Sequence, residues 1–450
     1  MTSEGALPAE LPVTPTLREA LRFWTWLGFV SFGGPAGQIA VMHRELVDGR
    51  RWISEKRFLH ALQYCMVLPG PEAQQLATYI GWLLHGTIGG IAAGALFVLP
   101  SLGMLIGLAW LYVAHGDLPV VTAVLSGVRP AVVAVVLGAA WRIGKRTLRH
   151  PALVALAVAA FVGIYVFDVP FPWIVLGAAL VGAVGGRLAP GAFAVGGGHA
   201  PVTGGPGGAA VLDHDTPLPA WARFSPARLA MQGATALAMW GVAYGGLLAA
   251  AGGGESTLAR MARFFTQAAL LTFGGAYAVL PYVYQGAVDT HGWLQGPQMM
   301  DGLALGEATP GPLIMVVTWV GFLGGWQVPV PGWPVALSAV AAALVATFYT
   351  FLPSFLFILA GGPLVEATRD MPRLSAPLAG VTAAVVGVIV NLAVFFAVHA
   401  IFPHGTGAAP DLLAIVVGIG AGVAVFRYDA GVMKLLLVAA FVGWIASLVR

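Results

Sequence analysis

Long apolar stretches separated by short polar loops run along most of this chain. The four longest lie at about 88–114, 119–141, 335–361 and 375–402. A helix needs about 20 apolar residues to cross a lipid bilayer, and each of these stretches is long enough. Shorter apolar runs lie at about 151–168, 170–186, 226–251, 411–426 and 431–449. The pattern predicts an all-α integral membrane protein that crosses the bilayer many times.

Two further apolar stretches are interrupted by glycine and proline. The first, 16–42, contains Phe32-Gly33-Gly34-Pro35, and the second, 58–84, contains Pro69-Gly70-Pro71. Such residues are unfavourable inside a helix, so each stretch is expected to form two half-helices that meet at a break. In the stretch 58–84, neither half-helix is long enough to cross the bilayer alone. We therefore predict that 58–84 is a re-entrant hairpin with Pro69–Pro71 at its tip.

The interrupted stretches occur twice, at a constant spacing of 241 residues. Phe273-Gly274-Gly275 repeats the first break and Pro310-Gly311-Pro312 repeats the second, with ten identities in forty positions and no gap. Further along, Leu352-Pro353-Ser354 repeats Leu99-Pro100-Ser101 at a spacing of 253. Internal repetition of this kind indicates a duplicated unit, and transporters built from such units bind their substrate between the two copies.

The duplication divides the chain into four parts. Residues 1–16 form a polar N-terminal tail without the features of a cleavable signal peptide. Residues 17–186 are the first repeat, and residues 226–450 are the second repeat, which has one extra leading apolar segment. Residues 187–225 are rich in glycine, proline and alanine, and are predicted to form a flexible linker between the repeats.

Equivalent loops of the two repeats differ in their basic residues. The loop 43–57 carries five Lys or Arg residues, whereas its counterpart 284–298 carries none. The loop 142–149 carries four, and its counterpart 395–404 again carries none. Because Lys and Arg are concentrated in cytoplasmic loops, the repeats are predicted to have opposite orientations, with 43–57 in the cytoplasm. The predicted fold class is thus an inverted-topology duplicated bundle with broken and re-entrant helices.

Two further pairs of positions bear on this orientation. The loop 115–117 lacks Lys and Arg, whereas its counterpart carries Arg369 and Arg373, in agreement with inversion. In contrast, Arg22 and Arg263 are equivalent positions and both are basic. Either both side chains lie in space lined by protein, or the first segment of each repeat is threaded differently.

Composition excludes several other classes of protein. Hydrophobic residues make up 58% of the chain and charged residues 9%, whereas a soluble domain carries about 25% charged residues. The net charge of +3 is small and basic blocks are absent, so no nucleic-acid partner is expected. One cysteine, Cys65, excludes an intramolecular disulfide and a cysteine-based metal cluster. No catalytic or nucleotide-binding motif occurs, so we expect neither an enzyme nor a cofactor or metal.

The four breaks supply the candidate substrate site. A half-helix that begins after a break presents unpaired N–H groups and the positive end of its dipole to an anion. The glycines and prolines could instead serve only tight packing, but their symmetric placement favours a binding role. Gln38, Gln74 and Gln75 could donate hydrogen bonds to an oxyanion, although Gln38 could equally bond to a neighbouring helix. The complete predicted set is Phe32, Gly33, Gly34, Pro35, Gln38, Pro69, Gly70, Pro71, Gln74, Gln75, Phe273, Gly274, Gly275, Pro310, Gly311 and Pro312.

Two carboxylates flank equivalent breaks without being equivalent positions. Glu72 directly follows Pro71, and Glu307 lies three residues before Pro310. Each is either a gating or protonatable group, or a helix-capping carboxylate stabilised by the helix dipole. An ionised carboxylate would repel an oxyanion, so we expect Glu72 or Glu307 to require protonation before the anion binds.

Four other polar residues are candidates for gating or for the cytoplasmic mouth. Arg129 either balances the charge of an anion or carboxylate, or extends towards the membrane surface. Asp301, the counterpart of His60, is either part of a proton relay or a partner near the membrane surface. His43 and Arg44 either attract anions at the cytoplasmic mouth or anchor a positive loop.

These motifs resemble the chromate ion transporter (CHR) family in its two-domain form. The resemblance rests on residues 31–40, Trp52 and residues 68–77 in the first repeat, and on residues 272–275 and 307–312 in the second. It implies a multi-pass protein of the bacterial inner membrane that exports chromate and confers chromate resistance. It also implies antiparallel domains, and sulfate as the natural analogue of the substrate.

Two alternatives stay open beside chromate export. One is a carrier for sulfate or another oxyanion, and the other is a non-transporting membrane sensor or partner. Export itself is favoured because moving one charge through 100 mV is worth about 2.3 kcal/mol, so a dianion leaves a negative cytoplasm without ATP. The expected partners are chromate, with sulfate as an alternative, and the lipid bilayer, while a homodimer is left open.

Overall fold

The computed structural model describes residues 13–189, 191–193, 210–213, 216, 219–273, 275–367, 375–403, 405 and 407–449. The regular secondary structure of these residues is helical, apart from one isolated bridge between Ile53 and Leu212. Within these described residues, six helices are long and apolar enough to cross a membrane: Glu72–His115, Pro119–Thr147, Phe171–Leu188, Pro226–Ala250, Val335–Pro363 and Ala376–Ile401. The prediction of an all-helical, multi-pass membrane protein is confirmed.

The first repeat contains seven α-helices. They are α1 Leu17–Val30, α2 Gly34–His43, α3 Glu55–Val67, α4 Glu72–His115, α5 Pro119–Thr147, α6 Pro151–Tyr165 and α7 Phe171–Leu188. A π-helix, Arg44–Gly49, continues α2 directly. Local sequence explains several of the starts: Thr16 and Glu19 form a capping box at α1, and a proline lies in the first turn of α5, α6 and α7.

The remaining helices follow the linker. They are α8 Pro226–Ala250, α9 Thr257–Leu270, α10 Ala276–Tyr284, α11 Gly296–Ala308, α12 Val316–Gln327, α13 Val335–Ala367, α14 Ser375–Ile401, α15 Leu412–Tyr428 and α16 Val432–Val449. A second π-helix, Gln285–Thr290, continues α10. The two π-helices are offset by 241 residues, as are α3 and α11, which is the spacing of the sequence repeat.

Helix α4 folds back on itself. His85 and Gly86 have non-helical backbone angles, and Gly86 has a φ of +66° that favours glycine. On either side of this bend the chain packs closely, because a Cβ atom on Gly81 would lie 2.6 Å from the Gly89 carbonyl oxygen and one on Gly94 would lie 2.6 Å from Gln74 Nε2. Residues 72–84 therefore run antiparallel to the segment after the bend. The bend falls in the gap between the predicted segments 58–84 and 88–114.

Helices of each repeat pack against helices of the other. A Cβ atom on Gly127 of α5 would lie 2.8 Å from the backbone nitrogen of Gly443 in α16. Likewise, one on Gly380 of α14 would lie 3.0 Å from the Cα atom of Gly182 in α7. Small residues thus allow α5 and α14 to approach the opposite repeat at backbone distance. A single hydrophobic core joins α5 to the helices of the second repeat, and a smaller one joins α1, α2, α3 and the first part of α4.

The described part of the linker lies against the first repeat. Val211 and Leu212 donate backbone hydrogen bonds of 3.0 Å to the carbonyl oxygens of Arg51 and Trp52. In return, Ser54 N–H donates to the Leu212 carbonyl oxygen at 3.0 Å. Residues 194–209 lie outside the described residues, so the predicted flexibility of the linker stays a prediction there.

Candidate functional site

The two Pro-Gly-Pro segments meet the opposite repeat at equivalent points. Gly70 N–H donates a 2.8 Å hydrogen bond to the carbonyl oxygen of Thr272, and Gly311 N–H donates one of 2.8 Å to that of Ser31. Gly70 and Gly311 are equivalent positions, and so are Ser31 and Thr272. A reciprocal pair of contacts between equivalent residues is characteristic of a two-fold relation between the partners.

A serine of the opposite repeat faces each of these glycines. A Cβ atom on Gly70 would collide with Ser354 Oγ, and one on Gly311 would lie 2.7 Å from Ser101 Cβ. Both glycines also have positive φ angles, +128° and +108°, which L-residues with side chains rarely adopt. Glycine is therefore required at both tips for close approach and for backbone conformation.

Several buried polar atoms around the tips have no hydrogen-bond partner in the described structure. They are the hydroxyl oxygens of Ser31, Ser101 and Ser354 and the Oε1 atoms of Gln38, Gln74 and Gln75. An unsatisfied buried polar group costs about 1–3 kcal/mol, and native structures contain few of them. Their concentration at the junction of the repeats is therefore expected of a site that receives a polar ligand.

The three glutamines already use their amide nitrogens within the protein. Gln38 Nε2 donates to the Gly311 carbonyl oxygen at 2.5 Å, Gln74 Nε2 to Thr78 Oγ1 at 2.9 Å, and Gln75 Nε2 to the Pro69 carbonyl oxygen at 2.8 Å. Gln38 Nε2 also donates to the Ser31 carbonyl oxygen at 3.4 Å, which uses its second proton, whereas Gln74 and Gln75 each keep one amide proton for a ligand. The equivalent positions in the second repeat are Val279, Met315 and Val316, so the polar lining comes mainly from the first repeat.

Two helix N-termini begin beside each other at the junction. Helix α4 starts after Pro71 and α10 starts after Gly275, and neither first turn is capped by a side chain. The Oε1 atom of Glu72 lies 3.8 Å from the Cβ position of Gly275. At the start of α2, Gly33 has a φ of +88°. Gly274 lies outside the described residues.

The other predicted lining residues differ in exposure. Phe32 is 42% exposed and Gly33 is also exposed, while Gly34, Pro35, Pro69 and Phe273 are half-buried. Pro71, Pro310 and Pro312 are buried, as Gly70 and Gly311 are. The first Phe-Gly-Gly break is therefore the most open part of the predicted site.

The two predicted carboxylates have different neighbours. The hydroxyl of Tyr277 donates a hydrogen bond to Glu307 within the second repeat. Glu72 instead faces Gly275 of the opposite repeat. Arg146 and Arg142, on exposed positions of α5, lie near enough to act electrostatically on Glu72 and Glu307 respectively. These two arginines have no ion pair in the described structure, which leaves their charge available to an anion.

Arg129 and Asp301 form a bidentate ion pair between α5 and α11. Arg129 Nε donates to Asp301 Oδ1 at 2.8 Å and Nη2 donates to Oδ2 at 2.9 Å. Tyr112 of α4 adds a hydrogen bond of 3.0 Å from its hydroxyl to Oδ2. Asp301 is fully buried, so this pair connects the two repeats through a charge that has little access to water.

The predicted mouth residues already have acidic neighbours. His43 Nδ1 lies 3.4 Å from Asp48, and its Nε2 contacts the carboxylate of Glu55. Arg44 Nε lies 3.5 Å from Glu45. An anion at this mouth would compete with these carboxylates, and the attraction of anions by His43 and Arg44 stays a prediction.

Sequence reasoning missed several residues that the fold brings to the junction. Ser31, Ser101, Ser354 and Tyr277 lie there although none was predicted to bind or gate. A signal did exist for two of them, because Ser101 and Ser354 end the repeated Leu-Pro-Ser motif. The motif identified the duplication, but only the fold shows that each serine faces the Pro-Gly-Pro segment of the other repeat.

Comparison with known proteins identifies relatives along most of the chain. A family model described as chromate transporter matches residues 18–183 and 259–444. The chromate transport protein of Pseudomonas aeruginosa is 33% identical over 385 residues, which cover 85% of this chain and 81% of that protein. That of Cupriavidus metallidurans is 29% identical over 394 residues, covering 86% and 84%. A probable chromate transport protein of Synechococcus elongatus is 29% identical over 380 residues, covering 84% of each chain. No solved structure matches this chain.

Proposed function

The chain belongs to the chromate transporter family, and from this premise we propose that it is a secondary transporter that exports chromate across the bacterial inner membrane. The observation that carries the proposal is the junction of the two repeats. There, two Pro-Gly-Pro segments exchange backbone hydrogen bonds with the opposite repeat, and the buried hydroxyl groups of Ser31, Ser101 and Ser354, which can donate to an oxyanion, lack a partner in the described structure.

We propose that the repeats are inverted relative to each other and that their helices are broken at the substrate site. The reciprocal bonds from Gly70 and Gly311 support a two-fold relation. The loop charges support an axis in the plane of the membrane, because loop 43–57 is basic and 284–298 is not. Arg369 and Arg373, which also support inversion, lie outside the described residues.

We also propose a threading of the first segment, which aromatic contacts support. The guanidinium of Arg50 lies 5.0 Å from the ring centre of Phe23 in α1 and 5.4 Å from that of Trp52. Helix α1 therefore begins on the same side as the basic loop, and α1 and α2 form a second re-entrant hairpin with Ser31 near its tip. This threading puts Arg22 beside the cytoplasmic loop and Arg263 at the opposite face, where positive-inside counting does not explain its charge.

The site suits a tetrahedral oxyanion. Hydroxyl protons of Ser31, Ser101 and Ser354 and the free N–H groups at the start of α4 and α10 can donate to oxyanion oxygens. Glu72 lies beside these donors and would repel a dianion while ionised. Binding is therefore accompanied by protonation of this carboxylate or by its attraction towards Arg146.

We propose that the substrate enters the junction from the cytoplasmic side, and two exposed apolar residues and a basic helix end support this. Phe32 at the first break is 42% exposed and Met66 beside the first Pro-Gly-Pro segment is 39% exposed. Arg142 and Arg146 belong to the basic end of α5, which positive-inside counting assigns to the cytoplasm. A chromate ion entering from the cytoplasm would pass these arginines before reaching the breaks.

The proposal is tested in everted membrane vesicles under an imposed potential, with labelled chromate outside. We expect uptake that follows the potential without a pH gradient and that unlabelled sulfate reduces, because both ions are tetrahedral dianions. Uptake that requires a proton gradient would instead assign coupling to Glu72 or Glu307. Absence of uptake under both conditions would contradict transport and favour the alternative of a membrane sensor.

A second candidate function is a carrier whose physiological substrate is sulfate or another oxyanion. The hydroxyl and amide donors at the junction would bind chromate and sulfate alike, because both are tetrahedral dianions. This lack of discrimination is the observation that favours the second candidate. Concentration dependence of uptake for both ions in the same vesicles decides between them. The homodimer stays a prediction.

A further inference from the structure

We propose that the start of α9 carries a second oxyanion site, at the mouth opposite the cytoplasmic loop, and that Glu255 occupies it in the absence of an anion. The site is a cavity of about 360 Å³ lined by Glu255, Arg260, Arg263, Phe264, Gln267 and His291. Its assignment to the exit side rests on the proposed function and orientation, whereas its anion chemistry rests on these residues alone.

The cavity has an excess of positive charge that one carboxylate balances incompletely. Glu255 lies 3.4 Å from Arg260 Nη2 and 3.8 Å from Arg263 Nη2. Arg263 Nη2 also donates a 2.8 Å hydrogen bond to the Gly254 carbonyl oxygen. The Glu255 side chain is 84% exposed, whereas those of Arg260 and Arg263 are 45% and 44% exposed. A tetrahedral dianion brings more charge to the two guanidinium groups than this carboxylate does.

The segment that carries Glu255 allows it to leave. Gly252 and Gly253 have φ angles of +83° and +103°, and Gly254 follows them. Glycine adopts positive φ angles at little steric cost, so the chain turns sharply here and leaves the Glu255 side chain 84% exposed. This side chain can therefore rotate away when an anion displaces it, without disturbing α9, whose first turn is capped by Ser256.

The opposite wall is held in place by stacked rings. His291 stacks on Trp293 with ring centres 4.4 Å apart, and Phe264 contacts both rings. Burial lowers the pKa of His291 below its ordinary value, and the charges of Arg260 and Arg263 lower it further. Gln267 accepts a 3.2 Å hydrogen bond from the hydroxyl of Tyr282, which fixes its amide at the cavity edge.

The volume admits a hydrated anion. A water molecule occupies about 30 Å³ in the liquid, so a cavity of about 360 Å³ holds a tetrahedral oxyanion together with part of its hydration shell.

The residues that line this cavity are not reproduced in the first repeat. At the position of Arg260 stands Glu19, whose carboxylate caps α1 by accepting a 2.8 Å bond from Thr16 N–H. At the position of His291 stands Arg50, whose guanidinium covers the rings of Phe23 and Trp52. The pair of arginines with its exposed glutamate is therefore specific to the second repeat, since the first repeat has only Arg22 at the equivalent positions.

The test measures how an anion protects each arginine from phenylglyoxal, with the full chain in nanodiscs of phosphatidylcholine. Mass spectrometry then reports the modification of each arginine with increasing sulfate or chromate. We expect both anions to protect Arg260 and Arg263, but not Arg427, an exposed arginine at the end of α15. Arg427 thus serves as the control within the same sample.

Replacing Glu255 should strengthen sulfate binding at this site, whereas replacing the two arginines should weaken it. In Glu255→Gln the sulfate concentration for half-protection should fall about threefold to tenfold, the range expected for two exposed ion pairs. Asp429→Asn, which removes an exposed carboxylate elsewhere, should leave it unchanged. In equilibrium dialysis with labelled sulfate, Arg260→Gln/Arg263→Gln should lose a binding site that Arg427→Gln retains.

Three results would overturn the inference. The first is wild-type protein in which neither anion protects Arg260 and Arg263. The second is protection that occurs only when phosphatidylglycerol is added to the nanodiscs, because the cavity would then bind a lipid headgroup. The third is a half-protecting concentration in Glu255→Gln equal to that of the wild type. Protection without potential-driven chromate uptake in vesicles would contradict the proposed function and leave this site standing.

Discussion

Single residues at the two Pro-Gly-Pro tips decide how closely the repeats approach. Gly70 and Gly311 combine a positive φ angle with a serine of the opposite repeat at contact distance. Their place in a repeated motif is visible in the sequence. The reason for their identity is visible only in the fold, because Ser354 and Ser101 are distant from them along the chain.

Replacement of Gly311 by alanine should abolish transport and lower the free energy of unfolding by about 1–3 kcal/mol, because backbone strain and a collision with Ser101 act together. Gly332→Ala is the matched control, since Gly332 has a φ of +81° but open space around its Cβ position. The measurements are thermal unfolding in detergent and chromate uptake by vesicles. Equal effects of the two substitutions would show that the contact with Ser101 contributes nothing.

At the scale of elements, local sequence accounts for where helices begin and end. Prolines lie in the first turns of α5, α6, α7 and α8, and the two Pro-Gly-Pro segments separate α3 from α4 and α11 from the turn before α12. Local sequence does not account for the position of the described part of the linker. Its composition predicts a flexible tether, whereas the structure places it against the first repeat. Its residues 211 and 212 pair with 51 and 52 because the first repeat offers an unpaired backbone there.

This pairing predicts that the described linker segment moves as part of the first repeat. Cysteines replacing Ile53 and Leu212 should form a disulfide under mild oxidation, since residues opposite each other in a bridge are within the Cα separation that a disulfide needs. The native Cys65 is buried and should not interfere. We expect chromate uptake to persist after oxidation, because the bond joins segments that already move together. Loss of uptake that reduction restores would show that the linker must detach during transport.

At the scale of the whole molecule, helices of each repeat pack against helices of the other. Helix α5 packs at backbone distance on α16, and α14 does so on α7, through glycines in both cases. The Arg129–Asp301 pair adds a buried charge link between α5 and α11. These contacts join the same two repeats. If one repeat moves against the other during transport, the helix packing and the ion pair must therefore be kept together or lost together.

The proposed inversion of the two repeats predicts opposite accessibility of equivalent loops. Lys56→Cys and Gln295→Cys place single exposed thiols in loops 43–57 and 284–298. A membrane-impermeant maleimide should label Gln295→Cys in intact cells and Lys56→Cys only in everted vesicles. The wild type, whose single cysteine is buried, controls for background labelling. Labelling of both variants from one side would indicate parallel repeats.

The sequence alone determined the membrane class and the family resemblance, and it predicted the duplication and the four breaks. These features depend on composition, on hydrophobic runs and on motifs whose residues are neighbours along the chain. The tertiary structure alone decided which residues meet: Gly311 with Ser31 and Ser101, Arg129 with Asp301, and Arg260 and Arg263 with Glu255. Most of these contacts join segments far apart in the chain. They arise because glycine-lined helices of each repeat pack against the other, and no local pattern encodes that geometry.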